Sequence, residues 1–203
     1  ILPSDALTFG VITSILSIMI LGLSVNWIAA SLLGFTIIFY AIVYTIWLKR
    51  YTVQNIVIGG AAGAFPPVIG QVCASGTIGF ESLILFLIIF VWTPPHFWAL
   101  ALIKKDDYSA AKIPMLPIIA GEKVTRKNIF IYSLLLVPCS YLPWIFDFSG
   151  NFYLIITTIF GIEFLRRSFL ILKEVEGSEK NLFLYSIFYL SIIFAGICLD
   201  KII

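Results

Sequence analysis

The segment Trp92 to Pro117, WTPPHFWALALIKKDDYSAAKIPMLP, contains the features around which the sequence is organised. It holds the only histidine of the chain, His96, two adjacent prolines inside an apolar run and the pair Asp106 and Asp107. If one helix continues past the prolines, a rise of about 1.5 Å per residue places Asp107 roughly 16 Å along the axis from His96. Both residues would then lie on nearly the same face of the helix. We therefore predict that one stripe of side chains runs from His96, within the apolar part, to Asp107 at the charged end.

The prolines of this segment lack amide protons. The carbonyls of Phe90 and Val91 therefore lose their helical donors, and we expect the helix to bend. A second pair, Pro66 and Pro67, follows a run rich in small residues. Two interrupted apolar helices favour a binding cavity, because free carbonyls persist in lipid only where they face protein or a cavity. A kink that serves only packing is the alternative for either pair alone.

Composition places these helices in a membrane. Of 203 residues, 61% are hydrophobic and 12% are charged, with a mean hydropathy of +1.06. A net charge of +2 is too small to indicate a nucleic-acid partner. We therefore predict an all-α, polytopic helical membrane protein whose surroundings are the lipid bilayer.

Seven apolar runs have the length of a membrane-spanning helix. They lie at about Ala6 to Leu23, Trp27 to Trp47, Asn55 to Val72, Phe80 to Ile103, Asn128 to Phe146, Phe152 to Leu165 with a polar continuation, and Leu182 to Leu199. All 13 lysines and arginines except Lys201 fall in the connections after the second, fourth and sixth runs. Because basic residues gather on the cytoplasmic side, we predict that these three connections are cytoplasmic.

Two polar clusters lie on this predicted cytoplasmic side. The first consists of Tyr44, Lys49, Arg50 and Asn55, and the second of Asp106 and Asp107 among lysines. Carboxylates suit Mg²⁺, which takes one or two protein carboxylates plus substrate phosphate, while lysine and arginine neutralise the remaining phosphate charge. The clusters predict a magnesium-dependent site for a phosphorylated ligand. The alternatives are lysines that only set topology and aspartates in a solvated loop.

His96 is a second candidate. It lies beside the prolines and is flanked by aromatic residues, among them Trp98. A histidine inside a span indicates a metal ligand or a proton carrier. The alternative is a neutral ring that is hydrogen-bonded to a carbonyl freed by the prolines.

Three segments together resemble one family, the protoheme IX farnesyltransferases or heme O synthases, within the UbiA-type membrane prenyltransferases. They are YTIWLKRYTVQNIVIGGAAGAFPPVIG (Tyr44 to Gly70), WTPPHFWALAL (Trp92 to Leu102) and DDYSAAKIPMLP (Asp106 to Pro117). Other UbiA relatives share the Tyr and Lys-Arg element but lack the TPPHFW segment, which favours the heme branch.

The resemblance implies a transferase. A farnesyl group would leave farnesyl diphosphate with the help of Mg²⁺, and a vinyl group of heme B would attack it to give heme O. The implied catalytic residues are Asp106, Asp107, Lys49 and Arg50, of which the two aspartates would also hold the metal. The implied substrate-binding residues are Tyr44, Asn55, His96 and Trp98.

The resemblance also implies a setting for the reaction. Heme O synthesis belongs to cytochrome oxidase assembly, in a bacterial inner membrane or a mitochondrial inner membrane. The family has nine helices, so we expect residues 1–203 to form one prenyltransferase domain that lacks the first two helices and the first aspartate-rich element.

Three other functions remain open at this stage. A UbiA-type enzyme acting on an aromatic acceptor would differ from the heme enzyme in not binding heme. A non-enzymatic heme-binding assembly subunit would need His96 but not the aspartates. A transporter is less favoured, because apart from His96 the ionisable residues stay near the membrane surface.

Overall fold

The computed structural model describes residues 2–202 and is built of helices, with no strand in that range. The long helices are α1 (Pro3–Ser24), α2 (Trp27–Ile38), α4 (Asn55–Ala64), α5 (Pro66–Ser75), α6 (Phe80–Ile103), α9 (Glu122–Ser140), α11 (Asn151–Leu172) and α12 (Ser178–Asp200). The short ones are α3 (Lys49–Tyr51), α7 (Lys105–Ala110), α8 (Leu116–Ile119) and α10 (Leu142–Ile145). A π-helix, here called π1 (Phe39–Leu48), joins α2 to α3. The predicted all-α class is confirmed.

Six helical segments of the described chain are long and apolar enough to cross a membrane, one fewer than the seven predicted. The segment that does not qualify is α11, although it is 22 residues long. Its second half carries three charged residues. Glu163 forms ion pairs with Arg166 at 2.6 Å and with Arg167 at 2.7 Å. The helix continues seven residues beyond the predicted apolar run because these pairs satisfy its charges. The prediction of a polytopic helical membrane protein stands.

The two proline pairs behave differently. At Pro66 and Pro67 the helix is interrupted, and Phe65 separates α4 from α5. At Pro94 and Pro95 helix α6 runs through without interruption, and both rings are buried. Neighbouring helices α4, α9 and α12 all pack on α6 and support it on several sides.

The predicted stripe from His96 to Asp107 does not form. Helix α6 ends at Ile103, where Lys104 takes a non-helical ψ of 26°, and Asp107 belongs to the separate helix α7. His96 is buried, whereas Asp107 is exposed. The assumption that one continuous helix carries both residues was therefore wrong.

Charged connections that are distant in sequence meet at one end of the bundle. Arg126, in the first turns of α9, pairs with Glu179 at the start of α12 and also donates to the Ile171 carbonyl near the end of α11, at 3.5 Å. Lys105 of α7 pairs with Glu122 of α9 at 2.8 Å. This arrangement agrees with the predicted gathering of basic connections on one side.

Candidate functional site

A cavity of about 330 Å³ lies between π1, α4, α6 and the segment from Tyr108 to Met115. Aromatic rings make up much of its wall, namely those of Tyr40, Tyr44, Trp92, Phe97 and Tyr108. The remainder comes from Lys49, Thr93, Met115, three glycines of α4 and two isoleucines. Volumes of 300 to 1,000 Å³ are usual for small-molecule sites, so this cavity suits about one small ligand.

The π-helix decides which residues reach the cavity. Tyr40, Tyr44 and Lys49 all line it and are spaced by four and five residues. A helix with i→i+5 hydrogen bonds turns by roughly 80° per residue, so nine residues make about two full turns. In an α-helix of about 3.6 residues per turn, Lys49 would lie about half a turn away from Tyr40. The wide winding therefore brings the cation and both tyrosines to one face.

Local contacts support this winding. The hydroxyl of Thr45 donates to the carbonyl of Tyr40, five residues earlier, at 2.8 Å. The rings of Tyr40 and Tyr44 lie 5.3 Å apart. Tyr44 also packs against Gly59 so closely that any side chain at Gly59 would overlap its ring. The small residues of α4 thus allow π1 to approach.

Lys49, Arg50 and Asn55, which belong to the first polar cluster predicted from the sequence, take three different positions. Lys49 is half-buried and lines the cavity, whereas Arg50 is exposed and does not. Asn55 is completely buried and donates to the Lys49 carbonyl at 3.3 Å, which fixes the turn that presents Lys49. Its Oδ1 atom has no hydrogen-bond partner among the described residues.

The two aspartates lie in the first turn of α7 and do not themselves line the cavity. Both are exposed, and Asp107 pairs with Lys104 at 3.2 Å. The next residue, Tyr108, lines the cavity. Lys105 is held by Glu122 of α9, and this hydrogen bond raises the pKa of Lys105.

Within residues 2–202 no three histidine, cysteine, aspartate or glutamate side chains gather as a metal site. Two adjacent, accessible carboxylates nevertheless fit the donor chemistry of Mg²⁺, which usually takes one or two carboxylates and completes its shell with water and phosphate oxygens. Asp106 and Asp107 are therefore the residues of this chain that would hold the ion.

His96 and Trp98 lie outside the cavity. The His96 ring is buried between Trp92 and Phe183, with ring centroids 4.3 and 4.7 Å away. Its Nδ1 atom lies 2.6 Å from the Ser186 hydroxyl, which is itself within 2.7 Å of the Phe183 carbonyl. If the hydroxyl donates to that carbonyl, Nδ1 donates to Ser186 and Nε2 keeps a free lone pair.

Trp98 is also buried and packs edge-on against Tyr132, with ring centroids 5.2 Å apart. Its indole N–H has no hydrogen-bond partner in the described part of the chain.

Sequence reasoning missed several cavity residues. Tyr40 was missed because an α-helical period places it away from Lys49. Thr93 and Tyr108 adjoin residues that were singled out, and their positions beside Pro94 and Asp107 were available signals. Trp92 has a further role, since its indole donates to the Ser186 carbonyl at 2.8 Å and so fixes the cavity wall to α12.

The sequence matches the profile of the UbiA prenyltransferase family over residues 1–193. It is 55% identical over 203 residues to "Protoheme IX farnesyltransferase 1" of Mesorhizobium japonicum, covering 98% of this chain and 65% of that protein. It is 48% identical over 207 residues to "Protoheme IX farnesyltransferase" of Brucella ovis, covering 100% of this chain and 66% of the relative. The chain thus spans just under two thirds of the length of these curated relatives.

A solved structure has the same fold. It is described as "Structural and mechanistic insights into the biosynthesis of Digeranylgeranylglyceryl phosphate synthase in membranes". The TM-score is 0.81 at 22% sequence identity, and the match covers 98% of this chain and 70% of the other. At this identity the likeness supports the fold alone.

Proposed function

The chain belongs to the UbiA prenyltransferase family, and on this basis we propose that it transfers a farnesyl group from farnesyl diphosphate to a vinyl group of heme B, giving heme O. The observation that carries the proposal is the cavity, which is lined by the cation of Lys49 and otherwise mostly by apolar and aromatic side chains, with two carboxylates directly preceding its lining residue Tyr108. An amphiphilic allylic diphosphate has the same division into a charged head and an apolar chain. The high identity to proteins named protoheme IX farnesyltransferase supports heme as the acceptor.

The proposed reaction begins when the allylic C–O bond breaks and diphosphate leaves with the electron pair. The vinyl π electrons of heme B attack the resulting allylic cation, and a water molecule then adds to the new cation and releases a proton. Mg²⁺, held by Asp106 and Asp107, would supply charge neutralisation to the leaving group when bound. Lys49 adds a fixed positive charge at the same end, which acts mainly on the transition state because the charge develops there.

The cavity walls support the second half of the reaction. Tyr40, Tyr44 and Trp92 present aromatic rings to the cavity, and the negative face of such a ring attracts a cation. An apolar wall also keeps water from the cation until the carbon–carbon bond has formed.

We propose that the two substrates occupy different places. A cavity of about 330 Å³, at the small end of the range usual for small-molecule sites and lined by Lys49 and aromatic rings, suits a prenyl diphosphate better than a porphyrin. We therefore assign the cavity to the prenyl donor. Heme would approach from outside it, and the free Nε2 of His96 is the group proposed to contact heme.

The test is product formation by the protein expressed from its complete gene, in cells without their own heme O synthase. Chromatography of extracted hemes should detect heme O, and Asp107→Asn should lower its rate of formation by about 10² or more. Asp147→Asn is the matched control, since it makes the same change at an exposed position far from the cavity. A decrease below about threefold in Asp107→Asn would remove Asp107 from the site.

A second measurement separates the heme enzyme from the two alternatives. Purified protein should bind heme, and His96→Ala should weaken that binding and change the heme spectrum. Prenylation of a small aromatic acceptor without heme binding would favour the aromatic-acceptor enzyme instead. If the protein binds heme but cells with Asp107→Asn make as much heme O as cells with the unmodified protein, an assembly subunit would be favoured.

A bacterial inner membrane is the proposed location, because the relatives cited are bacterial proteins. The arrangement of residues 1–203 as a single prenyltransferase domain remains part of the same proposal.

A further inference from the structure

Gly63 of α4 and Ile89 of α6 are the lining residues that lie farthest from Lys49 along these two helices. Along α4, the lining residues follow in the order Ile56, Gly59, Gly60 and Gly63, starting near Lys49. The seven residues from Ile56 to Gly63 cover about 10 Å at roughly 1.5 Å per residue. A prenyl chain whose diphosphate lies beside Lys49 therefore points toward Gly63 and Ile89.

The three glycines of this wall differ in the space around them. A Cβ atom at Gly59 would overlap the ring of Tyr44, and one at Gly60 would lie 2.8 Å from the methyl carbon of Thr93. These two glycines allow helices to pack. At Gly63 an added Cβ would meet no atom within 4 Å, although Gly63 lines the cavity. A side chain at this position would fill cavity space without displacing a helix.

Ile89 separates the cavity from a second space. Together with Trp92 it also lines an apolar groove of about 280 Å³ against α12, bounded by Ile187, Leu190 and Phe194. Trp92 is anchored by its hydrogen bond to Ser186, whereas Ile89 contributes only its side-chain volume to the partition. Shortening Ile89 would extend the cavity toward the groove.

We propose that Gly63 and Ile89 set the length of the prenyl chain that the cavity accepts. This inference rests on the proposed function, because it takes the occupant of the cavity to be a prenyl diphosphate. Volume added at Gly63 shortens the space for the chain, and volume removed at Ile89 lengthens it. The two positions should therefore change chain-length preference in opposite directions.

The experiment compares geranyl, farnesyl and geranylgeranyl diphosphate, with 10, 15 and 20 carbons, as donors. In Gly63→Val, kcat/KM for farnesyl relative to geranyl diphosphate should fall about tenfold or more, since one methylene too many in an apolar pocket costs roughly 10- to 200-fold. In Ile89→Ala, the value for geranylgeranyl relative to farnesyl diphosphate should rise by about threefold or more. A gain of this kind does not arise from misfolding.

Gly70→Val is the matched control. Gly70 also has no atom within 4 Å of an added Cβ and also lies in an apolar helix, but it does not line the cavity. Its donor preference should equal that of the unmodified protein. Gly63→Ala provides a smaller change should the valine variant not fold, and it should shift preference in the same direction by a smaller factor.

Direct binding of the three diphosphates, measured by calorimetry without heme, distinguishes the two levels of the proposal. If the unmodified protein binds them but makes no heme O, the proposed acceptor fails while chain-length selection is still measured. If binding and turnover of all three donors change in parallel in the Gly63 and Ile89 variants, the inference is overturned and the proposed function stands.

Discussion

The cavity half of the molecule (π1, α4 and α6) and the packed half (α9, α11 and α12) use polar residues in opposite ways. In the packed half the hydroxyls of Tyr153, Tyr185 and Tyr189 are paired within the protein. Tyr153 donates to the Ser140 carbonyl at 2.7 Å, and Tyr189 donates to the Ser140 hydroxyl at 2.9 Å. In the cavity half, Tyr40 and Lys49 line the cavity, and within the described residues neither the Tyr40 hydroxyl nor the Lys49 amine forms a hydrogen bond.

Packing follows the same division. Most of the largest completely buried side chains lie in the packed half, including Tyr153, Phe164, Leu136 and Ile193. The cavity half instead contains a π-helix, a helix interrupted at Phe65 and glycines that allow close approach. The packed half therefore supplies most of the buried core, whereas the cavity half leaves the Tyr40 hydroxyl and the Lys49 amine available to a ligand. Polar groups in lipid are otherwise costly to leave unpaired.

The largest expected effect is on turnover in the cavity half. Lys49→Ala should reduce the rate of heme O formation by about 10² to 10³, because it removes a fixed charge that faces the leaving group. Thermal stability should change little, since the amine of Lys49 holds no ion pair within residues 2–202. Both quantities are measured on the same detergent-solubilised protein.

Lys127→Ala serves as the control, because Lys127 is exposed at the start of α9 and does not line the cavity. It should alter neither rate nor stability. Equal losses of activity in the two variants would show that only overall basic charge matters, and the distinction between the two halves would fail.

A smaller effect, of the opposite kind, is expected in the packed half. Tyr189→Phe should lower the free energy of unfolding by about 1 kcal/mol, because it removes a buried interhelical hydrogen bond of the size measured in membrane proteins. Turnover at a temperature well below unfolding should stay within about twofold. Denaturant titration in mixed micelles provides the measurement.

Tyr40→Phe is the comparison for this change, since it removes the same hydroxyl from a residue on the cavity. Its free energy of unfolding should remain that of the unmodified protein. A loss of stability in Tyr40→Phe as large as that in Tyr189→Phe would contradict the division between the halves.

The sequence predicted the apolar elements well, because membrane helices depend on local composition. The bounds Phe80 to Ile103 agree with α6, and the proline pair at Pro66 does interrupt its helix. The polar continuation predicted after Leu165 does belong to α11, where Glu163 pairs with Arg166 and Arg167 along the helix. These charged residues also explain why α11 is not among the six helices of the described chain that are apolar enough to cross a membrane.

The cavity itself was less accessible to sequence reasoning. The apolar residues Phe39–Leu48 were read as an ordinary α-helix, and the close contact of Tyr44 with Gly59 of α4 is not visible in the sequence. The position of Lys49 beside Tyr40 depends on the π-helical winding. His96 illustrates the same limit, since its burial between Trp92 and Phe183 is set by the packing of α12.

The smallest expected effect concerns a contact between α7, which carries the two aspartates, and α9 of the packed half. Lys105, in the helix that carries the two aspartates, forms an exposed ion pair of 2.8 Å with Glu122 of α9. Exposed pairs contribute little to stability. Lys105→Gln should therefore leave the melting temperature unchanged, while amide hydrogen exchange across α7 (Lys105–Ala110) should become up to a few times faster.

The dependence of this contact on pH and salt provides the sharper test. The hydrogen bond from Lys105 to Glu122 raises the pKa of Lys105, so the contribution is fully present below the ordinary lysine pKa and is lost only as pH rises through the raised value. The ratio of the exchange rates of the two proteins should thus be constant from about pH 7 to pH 9, well below the ordinary lysine pKa of about 10.4. It should shrink in about 1 M salt, where the screening length is only about 3 Å. Equal exchange at low salt would mean that the packed half does not hold the aspartates, and that α7 is positioned by Tyr108 at the cavity alone.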